Sequence, residues 1–329
     1  MNRTGIFLCE ESHKLFQIYA NRSDLPCDEK IYTKQDVLAD ADGFANTEFI
    51  FSSWGMPHFS EEEIKKVFPA LKAVFYAAGT VQGFAAEFLH CGVKVYSAWA
   101  ANAIPVAEYT LAQILLSSKG FFALSSLQSK GEIVRAEKIK ESYPGNFDIT
   151  VGIIGAGMIG RRVLALLNPF RIKALVYDAF LSAEEITSLG GEKADLEDIF
   201  QKCEVISNHL ANKEQTKGIL NGALFAQMKP YATFINTGRG AQVVEKDLAE
   251  VLRMRPDLTA LLDVTYPEPP APEHPFYILP NCFLTPHIAG SSGREVARMG
   301  EYMMDAYKRF VGGIPCAYEV SCEMLKTMA

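Results

Sequence analysis

Four polar side chains in the second half of the chain stand where chemistry is available: Arg239 in "INTGRGA", Asp263 and Glu268 in "LTALLDVTYPEP", and His287 in "CFLTPHIAG". Each follows a short apolar run that reads as a buried strand, so each lies just past a strand's carboxyl end. In an open parallel sheet, ligands bind at that edge. A planar, permanently charged guanidinium suits a carboxylate, which gives Arg239 the part of a substrate clamp. A carbonyl oxygen receiving charge as hydride arrives at the adjacent carbon needs a nearby proton donor, and His287 fits. A carboxylate on the far ring nitrogen would fix the tautomer and favour imidazolium, a part for Glu268. The flanking Gly238 and Gly240 read as places where backbone closes against nicotinamide and substrate.

A second motif says what would bring the hydride. "TVGIIGAGMIGRRV" sets Gly155, Gly157 and Gly160 as GxGxxG between a strand and a helix starting near Met158 and Ile159. The first glycine permits a tight turn, the second clears the approach of a pyrophosphate, and the third lets helix and strand pack closely. The helix amino terminus then faces the anion. "ALVYDAF" ends in Asp178, 23 residues after Gly155 (178 − 155), near the spacing of roughly 20 at which a carboxylate receives the ribose hydroxyls. Ala179, Phe180, Leu181 and Ser182 include no cation for a 2′-phosphate, which points to NAD rather than NADP.

These residues need a scaffold. "TGIFLC", "TEFIFS", "LKAVFYA" and "VKVYS" alternate with helix-like segments through the first hundred residues. After the helical "IPVAEYTLAQILLSS", a second series follows: "TVGIIGAG", "KALVYD", "CEVISNH", "YATFIN", "LTALLDV" and "CFLTP". Such βαβα alternation predicts two α/β units with parallel sheets covered on both faces. "REVARMGEYMMDAYKRFVGG" reads as an amphipathic helix closed by glycine, and "YPEPPAPEHP" as a rigid loop.

Composition narrows the partners. The chain has 329 residues, 49% of them hydrophobic, enough for two domains with large cores. A formal net charge of -7 offers no basic footprint for nucleic acid. Seven scattered cysteines form no CxxC pair and the histidines no HExxH, so reduced thiols in a cytoplasm and no metal site are expected. The start, "MNRTGIFLCEESHK", turns acidic too soon for a signal peptide, and no apolar run reaches membrane-spanning length.

The ordered segments "NAIPVAEYTLAQILL", "VGIIGAGMIG", "NHLANKEQTKGIL", "MKPYATFINTGRGAQV", "LDVTYPEPP" and "LPNCFLTPHIAGSS" resemble the D-isomer-specific 2-hydroxyacid dehydrogenase family. The resemblance implies a Rossmann-type doubly wound cofactor domain at 102–291, inserted into a flavodoxin-like α/β substrate domain of 1–101 plus 292–329. It also implies a homodimer and supports Arg239, Glu268 and His287 as the catalytic set. Cofactor contacts carried over are Leu210, Ala211, Thr237, Gly238 and Asp263, beside Gly155, Gly157, Met158, Ile159, Gly160 and Asp178. Substrate contacts are Trp54, Gly55, Ala78, Gly79 and Asn102, with Arg239. Two departures stand out: "HLAN" (His209 to Asn212) where many relatives have His-Val-Pro-Leu, and Trp99 where a proline is common.

The loop "FSSWGMP" supplies Ser52, Trp54 and Met56 where the phosphoglycerate-oxidising branch resembles "RSRT". Without those arginines a phosphate lacks the charged partners it needs to leave water, so the expected substrate is an unphosphorylated 2-oxo or 2-hydroxy acid. Two other readings remain open here. The same architecture occurs in NAD(H)-sensing corepressor-type binding proteins, and a glycine loop also serves some S-adenosylmethionine enzymes.

Overall fold

A computed structural model describes residues 4–10 and 14–326; the first residues of the amino-terminal stretch, 1–3, lie outside it. The strands are β1 (Gly5–Leu8), β2 (Ile31–Tyr32), β3 (Phe49–Ser52), β4 (Ala73–Tyr76), β5 (Lys94–Ser97), β6 (Ile149–Ile154), β7 (Ile172–Tyr177), β8 (Glu192–Lys193), β9 (Val205–Asn208), β10 (Thr233–Asn236), β11 (Thr259–Leu262), β12 (Cys282–Leu284) and β13 (Glu319–Val320). The chain divides into two compact units, one of Met1–Asn102 with Ser291–Ala329 and one of Ala103–Gly290.

In the first unit the strand order is β13-β5-β4-β3-β1-β2, parallel except for β13, which runs antiparallel to β5. Without β13 this is the flavodoxin-like order. One face is strongly aromatic: Phe51 and Phe75 stack at 5.2 Å, Phe75 and Tyr96 at 5.1 Å, and Tyr307 and Phe310 pack edge-on over them. The last two rings come from the helix Val296–Val311, which buries Val296, Met299, Gly300, Met303, Met304 and Ala306 at helical spacing. Gly300 is required there, because a Cβ would sit 2.0 Å from the Ile18 carbonyl oxygen.

The second unit is wholly parallel, in the order β12-β11-β10-β9-β6-β7-β8. Chain order reverses between β6 and β9, the switch point where doubly wound sheets bind ligands. Near-continuous apolar strands such as "ITVGII" are buried on both faces, as a covered parallel sheet demands. Gly152 within it lies against Ile199, whose Cγ2 would stand 2.4 Å from an added Cβ.

Register does the positioning. Ile154, Asn208, Asn236, Leu262 and Leu284 pair in one row across five strands, and each is the last residue of its strand. Gly155, His209, Thr237, Asp263 and Thr285 therefore leave the sheet side by side.

Candidate active site

The glycine loop follows β6. Gly155 has φ +92° and a Cβ there would lie 2.9 Å from the His209 backbone, so both conformation and the neighbouring strand's exit require glycine. Gly160 opens the helix Met158–Leu167 against the strand, where a Cβ would stand 2.1 Å from the Gly155 oxygen. Gly157 differs: no atom lies within 4 Å of its missing Cβ. That open cradle before a helix amino terminus fits a pyrophosphate. Asp178 follows β7, and its Oδ2 accepts from the Ala156 amide at 2.8 Å, tying the carboxylate to the glycine loop. Its Oδ1 accepts from Phe180 and Leu181, while Ser182 caps the next helix. Met158 is exposed and Ile159 packs on the core.

A buried amide network joins the exits of β9 and β10. Asn208 Nδ2 donates to Asn236 Oδ1 at 3.0 Å and to Gln242 Oε1 at 2.6 Å. Gln242 Nε2 donates to the Leu210 carbonyl, and its Oε1 accepts from the Arg239 amide. Asn236 accepts from Gly238 N and donates to the Arg239 carbonyl. Leu210 and Arg239 are thus held in one frame at low dielectric, where satisfied networks are stiff. The same frame gives the flanking glycines a packing reason as well. A Cβ at Gly238 would lie 2.9 Å from Asn208 and Gln242, and one at Gly240 would lie 2.0 Å from the Thr265 backbone, so protein neighbours already exclude side chains there. The Arg239 guanidinium donates to the Gly238 carbonyl at 2.8 Å; burial lowers its pKa while the charge of Glu268 opposes that shift. His209 is buried between the Ser207 and Thr237 hydroxyls, and desolvation pushes it down to about 3, so it is a neutral fixture. Ala211, half-buried, receives the Thr216 hydroxyl on its carbonyl.

Asp263 builds the loop that carries the histidine. Only 2% exposed, it accepts from the Thr285 hydroxyl and Ile288 N on Oδ1 and from Ala289 N on Oδ2. The His287 amide donates to the Asp263 carbonyl at 3.1 Å. Wrapped this way, His287 takes φ +54°, a left-handed conformation that a non-glycine residue adopts only when its surroundings enforce it. Its Nδ1 lies 2.7 Å from Glu268 Oε1. A carboxylate can only accept, so Nδ1 carries the hydrogen and Nε2 remains for a substrate. Arg239, Glu268 and His287 therefore leave three neighbouring strands together.

In the first unit, Gly79 and Asn102 are neighbours: a Cβ at Gly79 would be 3.5 Å from Asn102 Nδ2, and Asn102 Oδ1 accepts from Ser291 N. Gly55 has φ +90°. Trp54 is 38% exposed and its carbonyl accepts from the Cys9 thiol. Ala78 is sealed, its carbonyl accepting from Ser97. Ser52 does not belong on a pocket wall: it is fully buried and its hydroxyl donates to the Leu8 carbonyl. Trp99 packs on the core with Met56. Asn208, Asn236 and Gln242 escaped the sequence reading; polar residues closing otherwise apolar strands, as in "ISN" and "FIN", are the signal that marks the first two. Among the described residues no helix is long and apolar enough to cross a membrane.

Comparison with known proteins gives the family. Residues 111–289 match the family model described as D-isomer specific 2-hydroxyacid dehydrogenase, NAD binding domain, so the cofactor is NAD. The chain is 32% identical over 243 residues to formate dehydrogenase of Neurospora crassa, covering 71% of this chain and 62% of that one. It is 28% identical over 224 residues to D-3-phosphoglycerate dehydrogenase of Archaeoglobus fulgidus, covering 68% of this chain and 42% of that one. Each match thus spans less than two thirds of the relative. The apo crystal structure of Rhodotorula graminis D-mandelate dehydrogenase aligns over 97% of this chain and 98% of its own, with a TM-score of 0.78 at 19% identity, a likeness of fold.

Proposed function

Because the chain belongs to the D-isomer specific 2-hydroxyacid dehydrogenase family, we propose that it interconverts an unphosphorylated 2-oxo acid and its D-2-hydroxy acid. NAD(H), held by the Gly155–Gly160 loop and by Asp178 and reached by Leu210, Ala211, Thr237, Gly238 and Asp263, exchanges a hydride with C2 of the substrate. Arg239 binds the substrate carboxylate, its amide and carbonyl fixed by Gln242 and Asn236. His287 gives a proton from Nε2 to the carbonyl oxygen in reduction and takes it back in oxidation. Glu268 holds the ring in the productive tautomer. The single observation that carries this reading is the 2.7 Å contact of Glu268 with His287 on a loop wrapped around Asp263, one strand from Arg239. Trp54, Gly55, Ala78, Gly79 and Asn102 are assigned to the substrate's remainder. A homodimer is supported by Phe121, Ile133, Val134 and Phe147, all apolar and 48–84% exposed in one stretch of the second unit. Scattered cysteines without a CxxC pair suit a reducing cytoplasm.

The test is NADH oxidation with glyoxylate, pyruvate, hydroxypyruvate, a branched 2-oxo acid and 3-phosphohydroxypyruvate. An unphosphorylated acid should give the highest kcat/KM. A lead for the phosphorylated compound would overturn the substrate assignment. NADH binding without turnover on any of them would instead favour a cofactor-sensing protein.

A further inference from the structure

Away from the reacting groups, one more carboxylate and imidazole meet in the second unit. Glu245 begins the helix Glu245–Met254, just after the segment that carries Arg239. Its Oε1 accepts from the Tyr266 amide at 2.8 Å. Its Oε2 stands 3.2 Å from His274 Nε2, with the two side chains only 11% and 18% exposed. Tyr266 and His274 bracket the proline-rich loop that bears Glu268, so one carboxylate grips both ends of it. His274 is itself oriented: Nδ1 accepts from Phe276 N and the ring packs on Phe276 at 4.5 Å, leaving the neutral ring's hydrogen on Nε2, toward Glu245.

We propose that Glu245 and His274 form a positioning pair that holds the loop Tyr266–Pro275 so that Glu268 stays on His287. This rests on the catalytic reading of Glu268 and His287 given above. Burying a carboxylate costs free energy, and the cost is visible here: desolvation pushes Glu245 up to about 7, against the pull of the Tyr266 amide, and pushes His274 down. A helix start on the surface could place a charged Glu in water at no such cost, so the burial needs another return, and the loop is what the pair touches. The other ionisable groups nearby are Lys246, Glu250 and Arg253, which line a cleft with His274, and Cys282, whose thiol is raised by burial and by Glu245. Neither cations nor thiol make a hydrogen bond to the pair, so Glu245 has Tyr266 and His274 as its partners among the described residues.

The experiment reads the ring directly. In ¹⁵N-histidine spectra of the protein without substrate, Glu245→Ala should displace the His287 signals in the same direction as Glu268→Gln, with His58 unmoved. His274→Ala should do the same, and Glu245→Gln, which keeps the acceptor for Tyr266, should preserve most of the wild-type signal and serves if the alanine variant fails to fold. In turnover, kcat should fall about ten- to a hundredfold for Glu245→Ala, as for a displaced catalytic group, with NADH affinity within about twofold. The double variant with Glu268→Gln should be no worse than Glu268→Gln alone, because residues acting through one another are not additive. Unmoved His287 signals, or losses that multiply, would overturn the proposal. Absence of turnover in the wild type would defeat the enzyme reading, while the ring signals would still decide this one.

Discussion

Among the described residues each unit holds two histidine–glutamate pairs, and three of the four contacts share one length. In the first unit His58 meets Glu87 and His90 meets Glu61, each at 3.2 Å. In the second His274 meets Glu245 at 3.2 Å and His287 meets Glu268 at 2.7 Å. Length sets apart only His287 and Glu268; surroundings separate the rest. His58 and His90 are each 58% exposed and lean on glutamates of surface helices, where water screens the pair and little free energy is at stake. In the second unit His287 and Glu268, themselves 47% and 39% exposed, stand past strand ends with His287 on a left-handed backbone, whereas Glu245 and His274 are only 11% and 18% exposed. The sheets repeat this contrast. At the carboxyl ends in the first unit, Ser53 and Ser97 spend their hydroxyls on the carbonyls of Ala77, Ala78 and Gly79. In the second unit Asn208, at one strand end, bonds instead to the amides of Asn236 and Gln242, which stiffens two adjacent loops.

The sharpest way to break this comparison is to remove one imidazole from each kind of pair. His287→Ala should lower kcat/KM on the order of a hundred- to ten-thousand-fold, the usual worth of a general acid, while NADH affinity measured by fluorescence stays near wild type. Arg239→Lys should fail in the same assay, since an ammonium cannot reproduce the planar two-point contact. His58→Gln should leave both turnover and affinity unchanged. Equal effects at His58 and His287 would mean that strand-end placement carries no information.

A second comparison tests the polar rows. Asn208→Ala strips partners from Asn236 and Gln242 inside the sheet, and a buried group left unsatisfied costs about 1–3 kcal/mol. Ser97→Ala removes one donor from carbonyls, with a cost of about 1 kcal/mol. Urea unfolding should show the larger loss for Asn208→Ala, together with a reduced kcat because the Arg239 loop loosens. Similar losses for the two variants, with unchanged kcat, would show that the network is only packing.

Much of this arrangement was legible from residue order. All ten apolar runs singled out in the sequence are strands, because burial on both faces forces continuous apolar stretches. The three strands that were missed, β2, β8 and β13, are two residues long and lie at sheet edges, where one side of the strand has no neighbour and polar residues such as Glu192 and Lys193 are tolerated. The candidate site residues could be picked out in the sequence because strand ends can. The amide network could not be: Asn208 reaches Asn236 and Gln242 across separations of 28 and 34 residues, and only strand register turns those into neighbours. The same limit hid Glu245, whose partners lie on a loop beyond another strand.

Cofactor choice is a smaller effect, lodged at the β7 exit. Asp178 faces the glycine loop and no cation follows it directly, so NADH should exceed NADPH in kcat/KM. Asp178→Ala should narrow that preference by about tenfold, the worth of one charged hydrogen bond. Equal use of both cofactors by the wild type would sink the assignment.

The smallest effect is in stability, and it lies at the buried pair. Burial holds Glu245 near 7 in the folded chain against an ordinary value of 4.5. A raised carboxyl contributes stability that is fully present below about 4.5 and is lost as pH rises through 7, because the unfolded chain ionises more readily. His274, shifted down, contributes in the opposite sense: its share is present above its ordinary value of 6.5 and is lost as pH falls through its folded value. Glu245→Gln abolishes the first contribution and keeps the second. The variant should therefore be weakest relative to wild type near pH 4.5 and should recover toward it by pH 7.5 in thermal melts. A Glu245→Gln difference that stayed constant with pH would mean that the carboxyl titrates alike in both states, and that its burial carries no linkage to folding.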